Sequence, residues 1–179
     1  MAASKGKVHL SLLLEALSLK KLPRTGWVLR NAPHESVAEH TYGTAIIALI
    51  LSRMEKLSAK EEHALLRLAL LHDLHEARLG DLVPSQKKKL QPNEAKVERE
   101  MLSGTPLSPE ITLLSGARAS KRVTLLANDA DRLDMLFRAV ENKRGGYARM
   151  QEFINSALSQ IKSKSGKELA KLAIGIGKK

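Results

Sequence analysis

Apolar residues recur at three- and four-residue spacing through most of the sequence, and the segments that carry them open on helix-capping residues. Leu10, Leu13, Leu14 and Leu17 form one such stripe, which Pro23 ends. Ser36-Val37-Ala38-Glu39 is a capping box opening a helix to about Arg53, and Ser58-Ala59-Lys60-Glu61 opens another that the spacing carries to about Ala77. Gly80, Pro84 and Pro92 bracket what reads as a polar connector around Lys87-Lys88-Lys89. Further helices are expected from about Asn93 to Leu102, from Ser108-Pro109-Glu110 to Gly116, and from about Arg118 to Asn142. Two more follow, from about Ala148 to Ile161 and from Lys167 to Ile174. No pair of segments shows the two-residue alternation of a hairpin. Only 3% of residues are aromatic, so Leu, Ala, Ile and Val must fill the core, which suits helices better than a β-sandwich. The expected fold is all-α: a single compact helical bundle, one domain over 1–179, with its core at about 8–162.

The net charge of +11 sits at the two ends. Residues 1–30 carry six basic side chains against Glu15, and 162–179 carry six lysines against Glu168, while the 131 residues between them total +1. No aromatic side chain interleaves the C-terminal lysines, so these ends read as solvated and not as a stacking platform for nucleic acid. The absence of cysteine excludes disulfides, thiolate metal sites and cysteine nucleophiles. The longest apolar run, Ala45 to Leu51, is seven residues, far short of the roughly 20 that cross a bilayer, so no membrane segment is expected. Glu15 interrupts the leucine-rich beginning and no small-residue cleavage site follows it, which points to a cytoplasmic protein.

The chemistry concentrates in Leu71-His72-Asp73-Leu74-His75-Glu76-Ala77-Arg78-Leu79-Gly80-Asp81. On a continuous helix His72 and Glu76 share a side and Asp73 lies one step round. Leu68, Leu70, Leu71 and Leu74 place this polar group in or beside the core, where an unpartnered carboxylate is costly. A divalent cation bound by mixed nitrogen and oxygen donors is one way to compensate it. Two distant segments offer more donors. His40 falls in the first turn of the helix that Ser36 opens, and Asp129, Asp131 and Asp134 interrupt an apolar helix containing Leu125, Leu126, Met135 and Leu136. Asp131 and Asp134 could equally pair with Arg132, Arg138 or Lys121 on a solvated face.

Taken in order, His … His-Asp … Asp resembles the signature of the HD superfamily of metal-dependent phosphohydrolases, in the branch of the 5'-deoxynucleotidases. The likeness runs over about residues 10 to 140 and takes in Arg24-Thr25-Gly26-Trp27, Glu35-Ser36-Val37-Ala38-Glu39-His40, His72-Asp73-Leu74-His75-Glu76 with Gly80-Asp81-Leu82, and Asp131-Arg132-Leu133-Asp134-Met135. It implies that His40, His72, Asp73 and Asp131, the last in preference to Asp129, bind one divalent ion (Co, Mn, Zn, Ni, Fe or Mg). It implies that Glu76 and Asp81 handle protons and position the attacking water, and that Arg24 and Trp27 hold the phosphate and sugar of a nucleoside monophosphate. Arg122-Val123 departs from the Glu-Ala that relatives often carry there. The implied function is a 5'-nucleotidase acting on (deoxy)nucleoside 5'-monophosphates, as a homodimer. The alternatives are an HD hydrolase of another phosphate ester (cyclic nucleotide, triphosphate or alarmone) and a polyanion-binding protein with a structural metal. Of the other histidines, His75 is a candidate partner for His72, and His9, His34 and His63 read as surface residues.

Overall fold

In the computed structural model, which describes residues 2–176, helix α1 (Ala2–Ser18) leads through a turn to the one-turn α2 (Thr25–Val28). Then come α3 (Val37–Met54), α4 (Ala59–Leu71), the one-turn α5 (Glu76–Leu79), α6 (Pro84–Leu90) and α7 (Glu94–Leu102). A 3-10 turn (Ser108–Glu110) enters α8 (Ile111–Leu114), and α9 (Lys121–Arg144) follows. A second 3-10 turn (Ala148–Met150) precedes α10 (Gln151–Gln160) and α11 (Lys164–Ile176). Among the described residues the only β-type pairing is one isolated bridge between Pro23 and Ser36.

Helix α9 is the axis of the bundle, packed against α3, α4, α10 and α11. Its buried Val123, Leu126, Ala130, Leu133, Leu136, Ala139 and Val140 repeat at helical spacing and meet Ala48 and Leu51 of α3 and Leu65 and Ala69 of α4 in one apolar cluster. A second cluster, of Leu12, Leu19, Val37, Leu74, Met101 and Leu102, packs α1 and α7 around the segment that follows α4. Both capping boxes form as the sequence indicates. The Ser36 hydroxyl accepts from the Glu39 N–H at the start of α3, and Ser58 does the same with Glu61 at the start of α4.

Four expectations are corrected. The helix from Ser58 stops at Leu71, and 72–75 form tight turns in which the Leu74 and Glu76 N–H groups reach back three residues to the carbonyls of Leu71 and Asp73. Three-residue turns align Asp73 with Glu76 in place of His72 with Glu76. The connector around Lys87 is helical, because Pro84 at its first position suits a helix start and the Gln86 side chain accepts from the Val83 N–H. The core does not end near residue 162, since Ala170 and Ala173 of α11 are buried against α9. Finally, Leu10, Leu13, Leu14 and Leu17 face outward, each more than half exposed, while Leu12 and Leu19 supply the inward face of this segment. The stripe with the better helical spacing is therefore not the buried one.

Candidate metal centre

Three elements bring the ligand candidates together. Once Ser36 fixes the start of α3, His40 is carried on its first turn into the bundle, where it is fully buried. His72 ends α4 and Asp73 lies in the turn after it, while Asp131 projects from α9. His40 Nε2 lies 3.5 Å from Asp73 Oδ2 and 3.3 Å from Asp131 Oδ1, and His72 Nε2 lies 3.2 Å from Asp73 Oδ2. The two imidazoles meet edge to face at 5.4 Å between centroids. Donor atoms of His40, His72 and Asp73 all fall within 4.8 Å of one another.

The outer nitrogens fix which atoms face inward. His72 Nδ1–H donates to the Ala69 carbonyl at 2.9 Å, and His40 Nδ1–H donates to Asp134 Oδ2 at 2.6 Å. Each ring then has only its Nε2 to turn inward, and both Nε2 atoms are buried without a hydrogen bond. Two orphaned imidazole nitrogens beside two carboxylates form a donor set that fits one divalent transition ion.

Asp134 was missed as a partner for His40, and its partner in turn is a glycine. A Cβ added at Gly43 of α3 would come within 1.9 Å of Asp134 Oδ1. The absence of a side chain there is what lets this carboxylate reach His40. Asp129, the rival of Asp131, points elsewhere: it is buried and accepts the backbone N–H groups of Lys162 and Ser163 at 2.9 and 2.7 Å.

Charge is balanced with care in this pocket. Burial works against a charged Arg24, but the carboxylates of Asp73, Asp81, Asp131 and Glu76 outweigh it and hold the guanidinium firmly protonated. Asp73 is buried, yet His72, Arg24 and His40 keep its carboxyl far below the usual range. Burial likewise opposes ionisation of Asp131, and contact with His40 and the nearby Arg132 outweigh it, so its pKa is lowered. For His40, burial and Arg24 push down while Asp131 and Asp134 pull up, with the net result raised to about 9. Burial, reinforced by Asp73 and Asp81, pushes Glu76 up to about 9, so this carboxyl keeps its proton at neutral pH.

A measurable consequence follows for ion uptake. An imidazole must be neutral to ligate, so loading at pH 7 is expected to expel the His40 proton. Apparent affinity then rises with pH towards about 9. In the ion-free protein the stabilisation from protonated His40 is complete below its ordinary value near 6.5 and is lost as pH rises through about 9. Its melting temperature should therefore fall over that interval. Calorimetric titration in two buffers of different ionisation enthalpy checks the first point, and the absence of proton release would contradict it.

A cavity of about 500 Å³ opens beside this cluster and takes in Arg24, Asp73, Glu76, Asp81 and Asp131. Arg24 Nη1 lies 3.2 Å from Asp73 Oδ2 and 3.7 Å from Asp81 Oδ1, and Asp81 Oδ2 accepts the Thr25 N–H at 2.5 Å. Trp27 borders the cavity but is only 2% exposed, with its indole N–H on Glu35 at 3.1 Å and its ring against Phe153 at 4.6 Å. The aromatic face nearer solvent is that of Phe153, from α10, a residue the sequence reading did not pick out. Lys87 also borders the cavity and pairs with Glu94 at 2.8 Å, so it is no free connector lysine. His75 is buried between Glu98 at 3.2 Å and Glu94 at 3.6 Å of α7. His34 and His63 are exposed and His9 is partly so. Arg122, the departure from the family pattern, lies on the surface bound to Glu55 and does not border the cavity.

A model of the HD domain family matches residues 16–173. A bovine protein named 5'-deoxynucleotidase HDDC2 is 38% identical over 97 residues, which cover 51% of this chain and 43% of the bovine one. The chain thus spans less than half the length of that relative. A Xenopus laevis protein of the same name is 30% identical over 172 residues, covering 89% of this chain and 83% of the frog protein. Among solved structures, a conserved hypothetical protein from Pyrococcus furiosus superposes with a TM-score of 0.74 at 30% identity, covering 95% of this chain and 99% of that one.

Proposed function

This chain belongs to the HD domain family, and from that premise we propose that it is a metal-dependent 5'-nucleotidase converting (deoxy)nucleoside 5'-monophosphates to nucleoside and phosphate. The observation that carries this reading is the pair of orphaned Nε2 atoms of His40 and His72 beside Asp73 and Asp131, two carboxylates that line a cavity shared with Arg24, Glu76 and Asp81. The names of the bovine and frog relatives support the substrate class.

His40, His72, Asp73 and Asp131 would hold the ion. When bound, a divalent ion supplies Lewis acidity towards a phosphoryl oxygen and makes a water more acidic. The rest is the work of side chains. Arg24, kept charged by the carboxylates of Asp73, Asp81 and Asp131, offers a planar fork to the phosphate oxygens. Glu76, buried and protonated, is suited to give its proton to the departing 5'-oxygen. Asp81 holds the backbone of Thr25 and lies near Arg24, so it positions the phosphate-binding segment as well as the water. Trp27 and Phe153 form the apolar wall for sugar and base, with Trp27 acting chiefly as the anchor for Phe153.

Phosphate release from a panel of deoxy- and ribonucleoside 5'-monophosphates, cyclic nucleotides, triphosphates and alarmones tests the proposal. Turnover should be greatest with 5'-monophosphates. Preference for any other ester would replace this reading, and inertness to all of them would favour a structural ion.

No described helix is long and apolar enough to cross a membrane, and the same reading places the enzyme among its substrates in the cytoplasm. The outward leucines of α1, together with Tyr42, Ile46, Leu49 and Ile50 on the outer face of α3, support a homodimer. It is expected to bury more than about 1,200 Å² in total. Light scattering that reports only monomer at micromolar concentration would contradict it.

A further inference from the structure

Arg132 and Gln160 border the metal-centre cavity and also a second cavity, of about 600 Å³. The second cavity follows one side of α9. Arg132, Asn128, Thr124 and Lys121 recur at four-, four- and three-residue steps, so they share a face about 16 Å long. Lys162 borders it where the lysine-rich end of the chain begins. Asp129 is its sole acidic wall residue, and that carboxylate is already committed to the N–H groups of Lys162 and Ser163. Lys121 and Lys162 are exposed, while Arg132 shares its charge with Asp131 at 3.3 Å. The cavity on the Asp134 side, by contrast, sets Glu35, Asp134 and Glu141 against Arg138 and Arg144 and offers an anion no net positive charge.

We propose that this second cavity is an anion subsite for a further phosphate, attached on the 3' side of a nucleotide whose 5'-phosphate lies at Arg24. The ligand class is a nucleoside carrying phosphate at both ends. Its source is either a nucleoside 3',5'-bisphosphate or the 5' end of a short phosphorylated strand. No aromatic side chain borders the subsite, so it reads phosphate and not the next base. The inference rests on the nucleotidase reading for the orientation of the ligand. The reaction itself is unchanged. The oxygen of water joins phosphorus, the P–O5' bond breaks, the 5'-oxygen takes a proton, and the 3'-phosphate leaves with the nucleoside intact.

The test compares three compounds on the metal-loaded full chain: a deoxynucleoside 5'-monophosphate, its 3',5'-bisphosphate, and a 5'-phosphorylated dinucleotide. Binding is measured by equilibrium dialysis and turnover by phosphate release, at low and high salt. Wild-type protein should bind the bisphosphate, the dinucleotide or both about tenfold more tightly than the monophosphate. Which of them gains identifies the source. The gain should shrink at high salt and vanish in the double variant Lys121→Gln, Lys162→Gln, whose handling of the monophosphate stays unchanged. Equal binding of all three compounds would overturn the proposal, as would a double variant that weakens the monophosphate equally. Lysine-dependent binding without turnover of any compound would sink the nucleotidase reading and leave the subsite standing.

Discussion

Glu76→Ala and Asp81→Ala are each expected to keep the divalent ion and to lose about 10²–10⁴ in rate, the usual contribution of a general acid or base. His72→Ala should lose ion and activity together. The distinction comes from geometry. His72 Nε2 is buried, 3.2 Å from Asp73 and without a hydrogen bond, so its removal takes away one of two nitrogen donors. Glu76 is not needed to complete the ligands, yet it is 3% exposed, lines the cavity and has one carboxyl oxygen with no partner. A buried, unsatisfied carboxyl is costly, and a proton-transfer role explains its presence. Asp81 differs, because its loss also frees the Thr25 N–H and removes a neighbour of Arg24. Its variant should therefore raise KM as well as lower kcat, whereas Glu76→Ala acts mainly on kcat. Elemental analysis alongside phosphate release makes the comparison, and wild-type turnover in both carboxylate variants would remove their catalytic assignment.

Gly43→Ala should weaken the ion about 10–100-fold, the effect expected when the group orienting a metal-bound histidine is displaced. In an ordinary helix interior this change stabilises by about 0.5–1 kcal/mol. Here the new methyl would stand 1.9 Å from Asp134 Oδ1, and such overpacking costs typically 1–3 kcal/mol. The clash wins, so Asp134 must withdraw from His40. Asp134→Asn keeps the volume and removes the charge, and it should weaken the ion in the same direction without a clash. Competition with a chromophoric chelator measures both. Unchanged affinity in the two variants would show that His40 needs no such support.

Much of this arrangement was legible in the sequence, for reasons that differ by element. Ser36 and Ser58 announce their helices because a capping box is a local device, complete within four residues. His40, His72, Asp73 and Asp131 stood out because polar donors are costly inside apolar helices and because their order resembles a known signature. The break at 72–75 was hidden, since His72 and His75 at its two ends keep helical backbone angles, and the Leu74 and Glu76 N–H groups reach back three residues and not four. The outward turn of Leu10, Leu13, Leu14 and Leu17 was hidden for another reason. α1 is apolar on more than one face, and only packing against Val37 and Leu102 decides that Leu12 and Leu19 go inside. The link from Gly43 to Asp134 to His40 spans distant positions and depends on how closely α3 approaches α9. A glycine in mid-helix was its one visible trace. Phe153 carried no signal at all beyond being one of two phenylalanines.

His40 presents two nitrogens to two acidic groups, which makes the position of the ion the most direct test. On the Nε2 side stand His72, Asp73 and Asp131, next to the cavity with Arg24, and on the Nδ1 side stand Glu35 and Asp134. Anomalous diffraction from crystals grown with a divalent transition ion locates it. A single peak is expected, ligated by His40 Nε2, His72 Nε2, Asp73 and Asp131, with nitrogen and oxygen distances of roughly 2.0–2.2 Å if the ion is zinc. A peak between Glu35, His40 Nδ1 and Asp134, or one away from His40 altogether, would contradict this assignment.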